Sequence, residues 1–361
     1  MSKRNADLFL ITLTVTLLSL GGLFLALCPA PRYAMAEKRM LAAFPHIDAK
    51  SVLDGSVSEQ LDHYATERAP FRGACRYVWG GAQLALMQRE SHDVLLCRDG
   101  SLSARTRMDK DTLTRNLSAL THVQRTLGNV PLTLAVAPTR LAARRAVLPA
   151  SMRATEEYDL PRDAITFPDC RADEEWYRTD HHWTTAGAYL AYVRLGEALG
   201  YTPSPRDAFQ AEIACERFLG TSAARAGLPF ITPDHITLWR YEGDDAYTVT
   251  RDGSPTAFDG LYDKERIAAG DPYAVFLGGN CGVLEINKGD ADARPCLLII
   301  RDSFAAPVLP FLARHYRIIA VDPRYAAPSL SALAARADTA LVLCGAQTLG
   351  GEPFLTPLLR K

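Results

Sequence analysis

At 361 residues, 48% of them hydrophobic, the chain has apolar material for one large core or two small ones. A formal net charge of −1 leaves no basic excess to track a nucleic-acid backbone, so no nucleic-acid partner is expected.

Leu8 to Cys28 is a run of 21 residues without a charge, preceded by Lys3 and Arg4. At ~1.5 Å per residue such a helix crosses the roughly 30 Å hydrocarbon core of a bilayer. Ala34-Met35-Ala36 also resembles a signal-peptidase site, so residues 1–36 are either an anchor or a cleaved signal. The run exceeds the ~7–15 residues of a usual signal core, which favours the anchor. Basic residues flank both ends (Arg32, Lys38 and Arg39 follow), so charge alone does not set the orientation. The bulk of the chain is expected outside the cytoplasm: a single-pass membrane protein, or a secreted one if cleaved after Ala36. Eight cysteines are present at irregular spacings without a C-x-x-C pair, which argues against a zinc ribbon and assigns no disulfide.

In chain order, Leu61–Arg72 reads as a helix ended by Pro70, and Arg76–Arg89 as a second helix on the spacing of Val78, Leu84 and Met87. Asp93–Leu102 reads as a hairpin about Asp99-Gly100. Leu113, Leu117, Leu120 and Val123 mark a helix that feeds a buried strand at Val130–Val136, the alternation of an α/β fold. A helix follows from Thr184 or Thr185 to Gly200. Residues 202–271, rich in Gly, Pro and Asp, read as an inserted β lobe, with Ile236–Tyr241 and Ala246–Thr250 as a hairpin across Gly243-Asp244-Asp245. Then Cys296–Ile300, Ile318–Val321 and Ala340–Leu343 return as buried strands.

Two stretches carry chemistry. Asp180-His181-His182-Trp183 sits on the turn before a helix, where an Asp two residues before a His can accept from one ring nitrogen and leave the other free to take a proton. Ser303 lies just past the carboxyl end of Cys296–Ile300, the end that faces the functional crevice of an α/β sheet. Pro307 suits a first helical turn, which would bring backbone N–H groups beside Ser303 to hold a developing oxyanion. The plain alternative makes Asp180 and Ser303 helix caps and the histidines surface turn residues.

These landmarks together resemble the DHHW family of bacterial proteins, named for the four residues at 180–183. The likeness runs from about Glu37 to Leu349 and includes A-P-F-R at 69–72, F-L-G-T at 218–221, Y-A-V-F-L-G-G-N at 273–280, L-L-I-I-R-D-S-F at 297–304 and V-D-P-R-Y at 321–325. That family is similar in turn to the alginate O-acetyltransferase group with an SGNH-hydrolase-like fold. The resemblance implies a circularly permuted SGNH α/β sandwich of three layers, spanning residues 37–361, with Asp180 and His182 as the Asp-His pair and Ser303 as nucleophile. His181 fills the variable position.

It further implies acetyl transfer to or from hydroxyls of a cell-envelope polysaccharide, with an MBOAT-type membrane acyltransferase as the expected partner and no cofactor. A carbohydrate esterase with the same triad and a non-catalytic polysaccharide-binding or assembly protein are the alternatives. Cys344-Gly345 stands where the family tends to an aromatic-Asn pair, so Asn280 and Gln347 are the candidate oxyanion donors. Arg324 is a candidate for anionic or sugar substrate, or for an ion pair with a carboxylate such as Asp302. Trp183 and Tyr325 are candidate sugar platforms, each with core packing as the plain alternative. Asp-His-His also opens the signature of metal-dependent DHH phosphoesterases, but the further strand-end aspartates they need have no place here, so no metal is expected.

Overall fold

The computed structural model describes residues 3–27, 33–34, 39–69, 71–106, 108–149, 160–167, 170–258, 260–289 and 291–360. Cys28, Met35-Ala36 of the cleavage signal and Pro70 lie outside these. The chain forms two compact units, residues 1–91 with 224–230, and residues 92–223 with 231–361.

In the first unit, helix α1 (Lys3–Leu27) is long and apolar enough over Arg4–Phe24 to cross a membrane, a property that anchors and signal sequences share. It is followed by α2 (Ser56–Arg68) and α3 (Arg72–Ala85).

The second unit is built on an eight-stranded sheet. Its strands in chain order are β1 (Leu132–Ala137), β2 (Ile165–Thr166), β3 (Thr248–Arg251), β4 (Ser254–Pro255), β5 (Val283–Asn287), β6 (Cys296–Arg301), β7 (Arg317–Val321) and β8 (Thr339–Gly345), arranged 4-3-5-7-6-8-1-2. Strands β7, β6, β8, β1 and β2 run parallel, and β5, β3 and β4 extend one edge antiparallel. β6 is covered on both faces, hence its unbroken Cys-Leu-Leu-Ile-Ile run. Leu297 and Ile299 enter one core with Ala188, Tyr192 and Leu195 of helix α5 (Thr185–Leu199). Leu298 and Ile300 enter the other with Leu113, Ala119 and Val123 of helix α4 (Lys110–Leu127). Helix, sheet and helix make the three expected layers.

Local chemistry fixes the ends of these elements. Thr184 caps α5 by accepting from the Gly187 N–H, and Gly200 ends it at φ 78°, a conformation glycine adopts without strain. The hairpin about Asp99-Gly100 forms, pairing Val94–Leu96 with Leu102–Ala104. The hairpin expected at 236–250 does not. Asp234–Arg240 pairs with Gln210–Phe218, while Thr248–Arg251 joins the main sheet through β5. The turn residues at 243–245 were read as a hairpin loop, yet they hand the chain from one sheet to another, and Asp244 there clamps Arg240. Cys75, Cys97, Cys215, Cys281, Cys296 and Cys344 carry free thiols.

Just before the amino end of β7, His315 bonds the Tyr192 hydroxyl through Nε2 at 2.8 Å and stacks on Tyr201. Burial, with Arg314 and Arg294 nearby, pushes its imidazole down to about 4. Between that value and the ordinary ~6.5 the unfolded chain binds the extra proton, so acidification favours unfolding. For this half-buried ring, solvent screening reduces the expected loss between pH 7 and 5 to about 1 kcal/mol. Urea midpoints should show that slope in the parent chain and its removal in His315→Phe.

Candidate active site

The site begins with a turn pinned on both flanks. Trp183 is fully buried and donates its indole N–H to the Phe304 carbonyl at 2.9 Å, fastening the turn to the segment after β6. On the other flank Asp234 accepts from the Arg178 and Thr179 backbone N–H groups and from the Thr179 hydroxyl. Burial raises the Asp234 carboxyl above its usual range, and those three donors oppose the shift.

Between these pins, His182 Nδ1 lies 2.6 Å from Asp180 Oδ1 and His182 Nε2 lies 2.7 Å from Ser303 Oγ. Both His182 and Asp180 are buried, whereas Ser303 is half-buried. Asp180 Oδ1 also accepts the His182 backbone N–H, and Oδ2 accepts the Thr221 N–H at 2.6 Å and the Thr221 hydroxyl at 2.9 Å. A carboxylate with so many donors is held in one orientation. One oxygen faces the imidazole, whose other nitrogen is thereby left to the serine.

Ser303 opens a single 3-10 turn, Ser303–Ala305, capped by Asp302. The expected helix begins later, at Leu309, so the donors near the serine come from this turn instead. Asp302 Oδ1 takes the Phe304 N–H and Oδ2 takes the Gly345 N–H, both at 2.8 Å. The Ser303 N–H heads that turn.

A Cβ built on Gly345 would lie 2.6 Å from the Phe304 ring, which explains glycine at the position where an aromatic-Asn pair was in view. Tyr273 completes the frame. Its ring stacks on His182 at 4.3 Å and its hydroxyl donates to the Ser303 carbonyl at 3.2 Å. Burial pushes that phenol well above its ordinary value, with Tyr177, Asp180 and Asp302 adding to the shift, so it stays a neutral donor.

Other candidates fall elsewhere. Trp183 is core and not a sugar platform, since nothing of it reaches solvent. His181 is partly exposed and bonds Thr221 Oγ1, away from the serine. Arg324 pairs with Asp322 through two hydrogen bonds and reaches Glu352 at 3.4 Å, so its ion pair is not with Asp302. Although burial disfavours its charge, Asp322 raises the Arg324 pKa. Tyr325 is exposed, and its hydroxyl receives the Asn280 side-chain amide at 3.3 Å. Gln347 is half-buried in the short helix after β8. Ligand atoms of Asp180, His181 and His182 lie within 4.8 Å of one another, as metal ligands would. Each also makes a hydrogen bond in the network above. Sequence reasoning missed Tyr273, Gly220 and Thr221 as site residues, though the motifs holding them, Y-A-V-F and F-L-G-T, were in view.

A serine at the carboxyl end of an interior strand, backed by an imidazole and a carboxylate in a mainly parallel sheet between two helical layers, defines an SGNH-hydrolase-like α/β protein. The Asp and His precede the Ser in the chain, the permuted order. Within that class the resemblance to DHHW proteins holds. The profile described as DHHW protein matches residues 166–321, and that described as SGNH hydrolase-like domain, acetyltransferase AlgX, matches residues 95–229. Among solved structures, a DHHW family protein from Eubacterium siraeum is 22% identical at a TM-score of 0.60, over 75% of this chain and 96% of that one. Bacillus cereus PatB1 with sulfonyl adduct is 18% identical at a TM-score of 0.57, over 72% of this chain and 98% of that one. No curated protein matches the chain.

Gly220 has no room for a side chain, because a Cβ there would lie 2.3 Å from Asp180 Cβ and 2.4 Å from Oδ2. Gly220→Ala should lower stability by about 1–3 kcal/mol in a denaturant melt. It should also abolish the low-field proton resonance of the His182–Asp180 hydrogen bond.

Proposed function

We propose that this protein moves an acyl group, most simply acetyl, to or from hydroxyls of a cell-envelope polysaccharide outside the cytoplasm. The observation that carries the reading is the continuous relay Asp180–His182–Ser303, with hydrogen bonds of 2.6 and 2.7 Å. His182 Nε2 takes the Ser303 proton as Oγ attacks the donor carbonyl. The tetrahedral oxyanion is received by the Ser303 N–H. As the bond to the leaving oxygen breaks, His182 returns the proton to it and an acyl-serine remains. A sugar hydroxyl, deprotonated by the same imidazole, then attacks the ester and frees Ser303. With water in place of the sugar the identical site is an esterase.

The AlgX profile over residues 95–229 supports the acetyl-transfer reading, as does the apolar α1 for attachment to the envelope membrane. Acetyl donor must then arrive across that membrane, for which an MBOAT-type acyltransferase is the expected supplier. Transfer and hydrolysis separate by product ratio: with an oligosaccharide acceptor, an excess of acetylated sugar over free acetate marks the transferase.

Ser303→Ala should cut turnover of an aryl acetate at least about a thousandfold, and Asp180→Asn by roughly 10⁴, with unchanged circular dichroism. Unaltered turnover in Ser303→Ala would instead favour a non-catalytic polysaccharide-binding protein. A sulfonyl fluoride should add one group to the parent chain by intact mass and none to Ser303→Ala. Chelators should leave both results untouched.

Tyr273→Phe keeps the ring on His182 and loses only the hydrogen bond to the Ser303 carbonyl, so a loss of about tenfold or less is expected in kcat. Tyr273→Ala, which removes the ring as well, should cost more than that.

A further inference from the structure

We propose that α3 is a second membrane contact, lying along the bilayer surface with its exposed apolar face buried among the lipid headgroups and upper acyl chains. The amphipathicity of this helix is inverted relative to a soluble protein. Its polar side is turned inward, where Arg76 donates to the Ala224 carbonyl at 2.8 Å and Gly80 packs so closely that a Cβ would lie 2.6 Å from the Gly227 carbonyl oxygen. Its outer side carries Phe71, Ala74, Val78, Trp79, Ala82 and Leu86, a continuous stripe at helical spacing, every one of them exposed. Phe71 is 83% exposed, Val78 and Leu86 73% each and Trp79 58%.

This surface belongs to the small N-terminal unit in particular. Leu53, Met87 and Phe230 of the same unit are each at least 88% exposed, whereas among the described residues of the larger unit the exposed large apolar side chains are Val193, Ile213, Leu219, Tyr325 and Leu359. Contiguous apolar surface of that kind marks a binding face.

Three observations favour lipid as its occupant. The same chain carries α1, whose Arg4–Phe24 window is entirely unburied and long enough to cross a membrane, about 45 residues upstream. With α1 retained as an anchor, the bilayer that takes it is present at high local concentration. Second, α3 has 14 residues, about 21 Å at 1.5 Å each, too short to span and suited to lying flat. Third, the stripe has no charge and one polar group, the indole of Trp79 at its edge, the residue type enriched at headgroup depth. Binding should accordingly respond little to salt.

Trp79 supplies the probe, because Trp176, Trp183 and Trp239 are all buried. The full chain, reconstituted in phosphatidylcholine vesicles whose acyl chains carry bromine near the headgroup, should lose on the order of a quarter of its tryptophan emission, one residue in four. Bromine near the bilayer centre should quench less, and Trp79→Phe should abolish the lipid-dependent loss. Val78→Glu with Leu86→Glu should transfer Trp79 from bromine quenching to quenching by aqueous iodide. Emission from the parent chain that brominated lipid leaves unchanged overturns the proposal. Iodide quenching would then mean that the face stands in water, and cross-linking of the exposed Cys75 between chains would mean that a second copy covers it.

Discussion

The imidazole of His182 is the one group through which the halves of the candidate site communicate. Its two nitrogens face partners 123 sequence positions apart, Asp180 behind and Ser303 in front, and neither contact survives a shift of an ångström. Much of the surrounding packing reads as the means of denying it that shift. Tyr273 covers one face of the ring, Phe304 closes at 4.9 Å, and the next indole is hydrogen-bonded to the carbonyl of the residue after the nucleophile. The base and the serine are thus fastened to each other twice, once through their own hydrogen bond and once through Trp183 and Phe304. The second fastening is structural, and it is buried where water cannot compete for it.

The carboxylate end is set by a segment remote from both. Gln210–Phe218 and Asp234–Arg240 form their own two-stranded sheet, and the residues at its ends meet the turn: Phe218 through its carbonyl to Thr179, Gly220 against Asp180, Thr221 on the Asp180 carboxylate, and Asp234 under residues 178 and 179. Residues read as an insertion on the sheet are thereby part of what holds Asp180 still. Gly220 contributes by what it lacks, since only a hydrogen there lets the carboxylate sit close enough to accept from the Thr221 N–H.

Much of this was legible in the sequence, and the reasons divide by range. Asp180, His182 and Ser303 were found because each is marked locally: an acid two residues before an imidazole on a turn, and a serine just past an apolar run too continuous for anything but a buried strand. The strands β6, β7 and β8 and the helices α4 and α5 were found by periodicity and end signals for the same reason. The pairing of 234–240 with 210–218 was not, because β pairing is decided by which partner buries the better face, and no local pattern records it. Turn residues at 243–245 then pointed to the wrong neighbour. Tyr273 stood in a quoted motif but carried no mark of its own, since an aromatic stacked on the His182 ring and an aromatic in a core are written with the same letter. Arg324 was seen as a cation at a strand end, but its engagement by Asp322, two residues away, was passed over for the more distant Asp302.

That last exchange bears on chemistry. Two buried aspartates sit within reach of the serine segment, Asp302 beside it and Asp180 across the crevice, and adjacency alone would favour Asp302. Its oxygens, however, are spent on the amides of Phe304 and Gly345, joining the nucleophile's turn to the end of the neighbouring strand. It has no bond to an imidazole. Asp180 keeps one oxygen for the ring and gives the other to Thr221, so the carboxylate that meets the imidazole is the one carried on the turn. Arg324, neutralised by Asp322 and close to Glu352, offers no free cation in its turn.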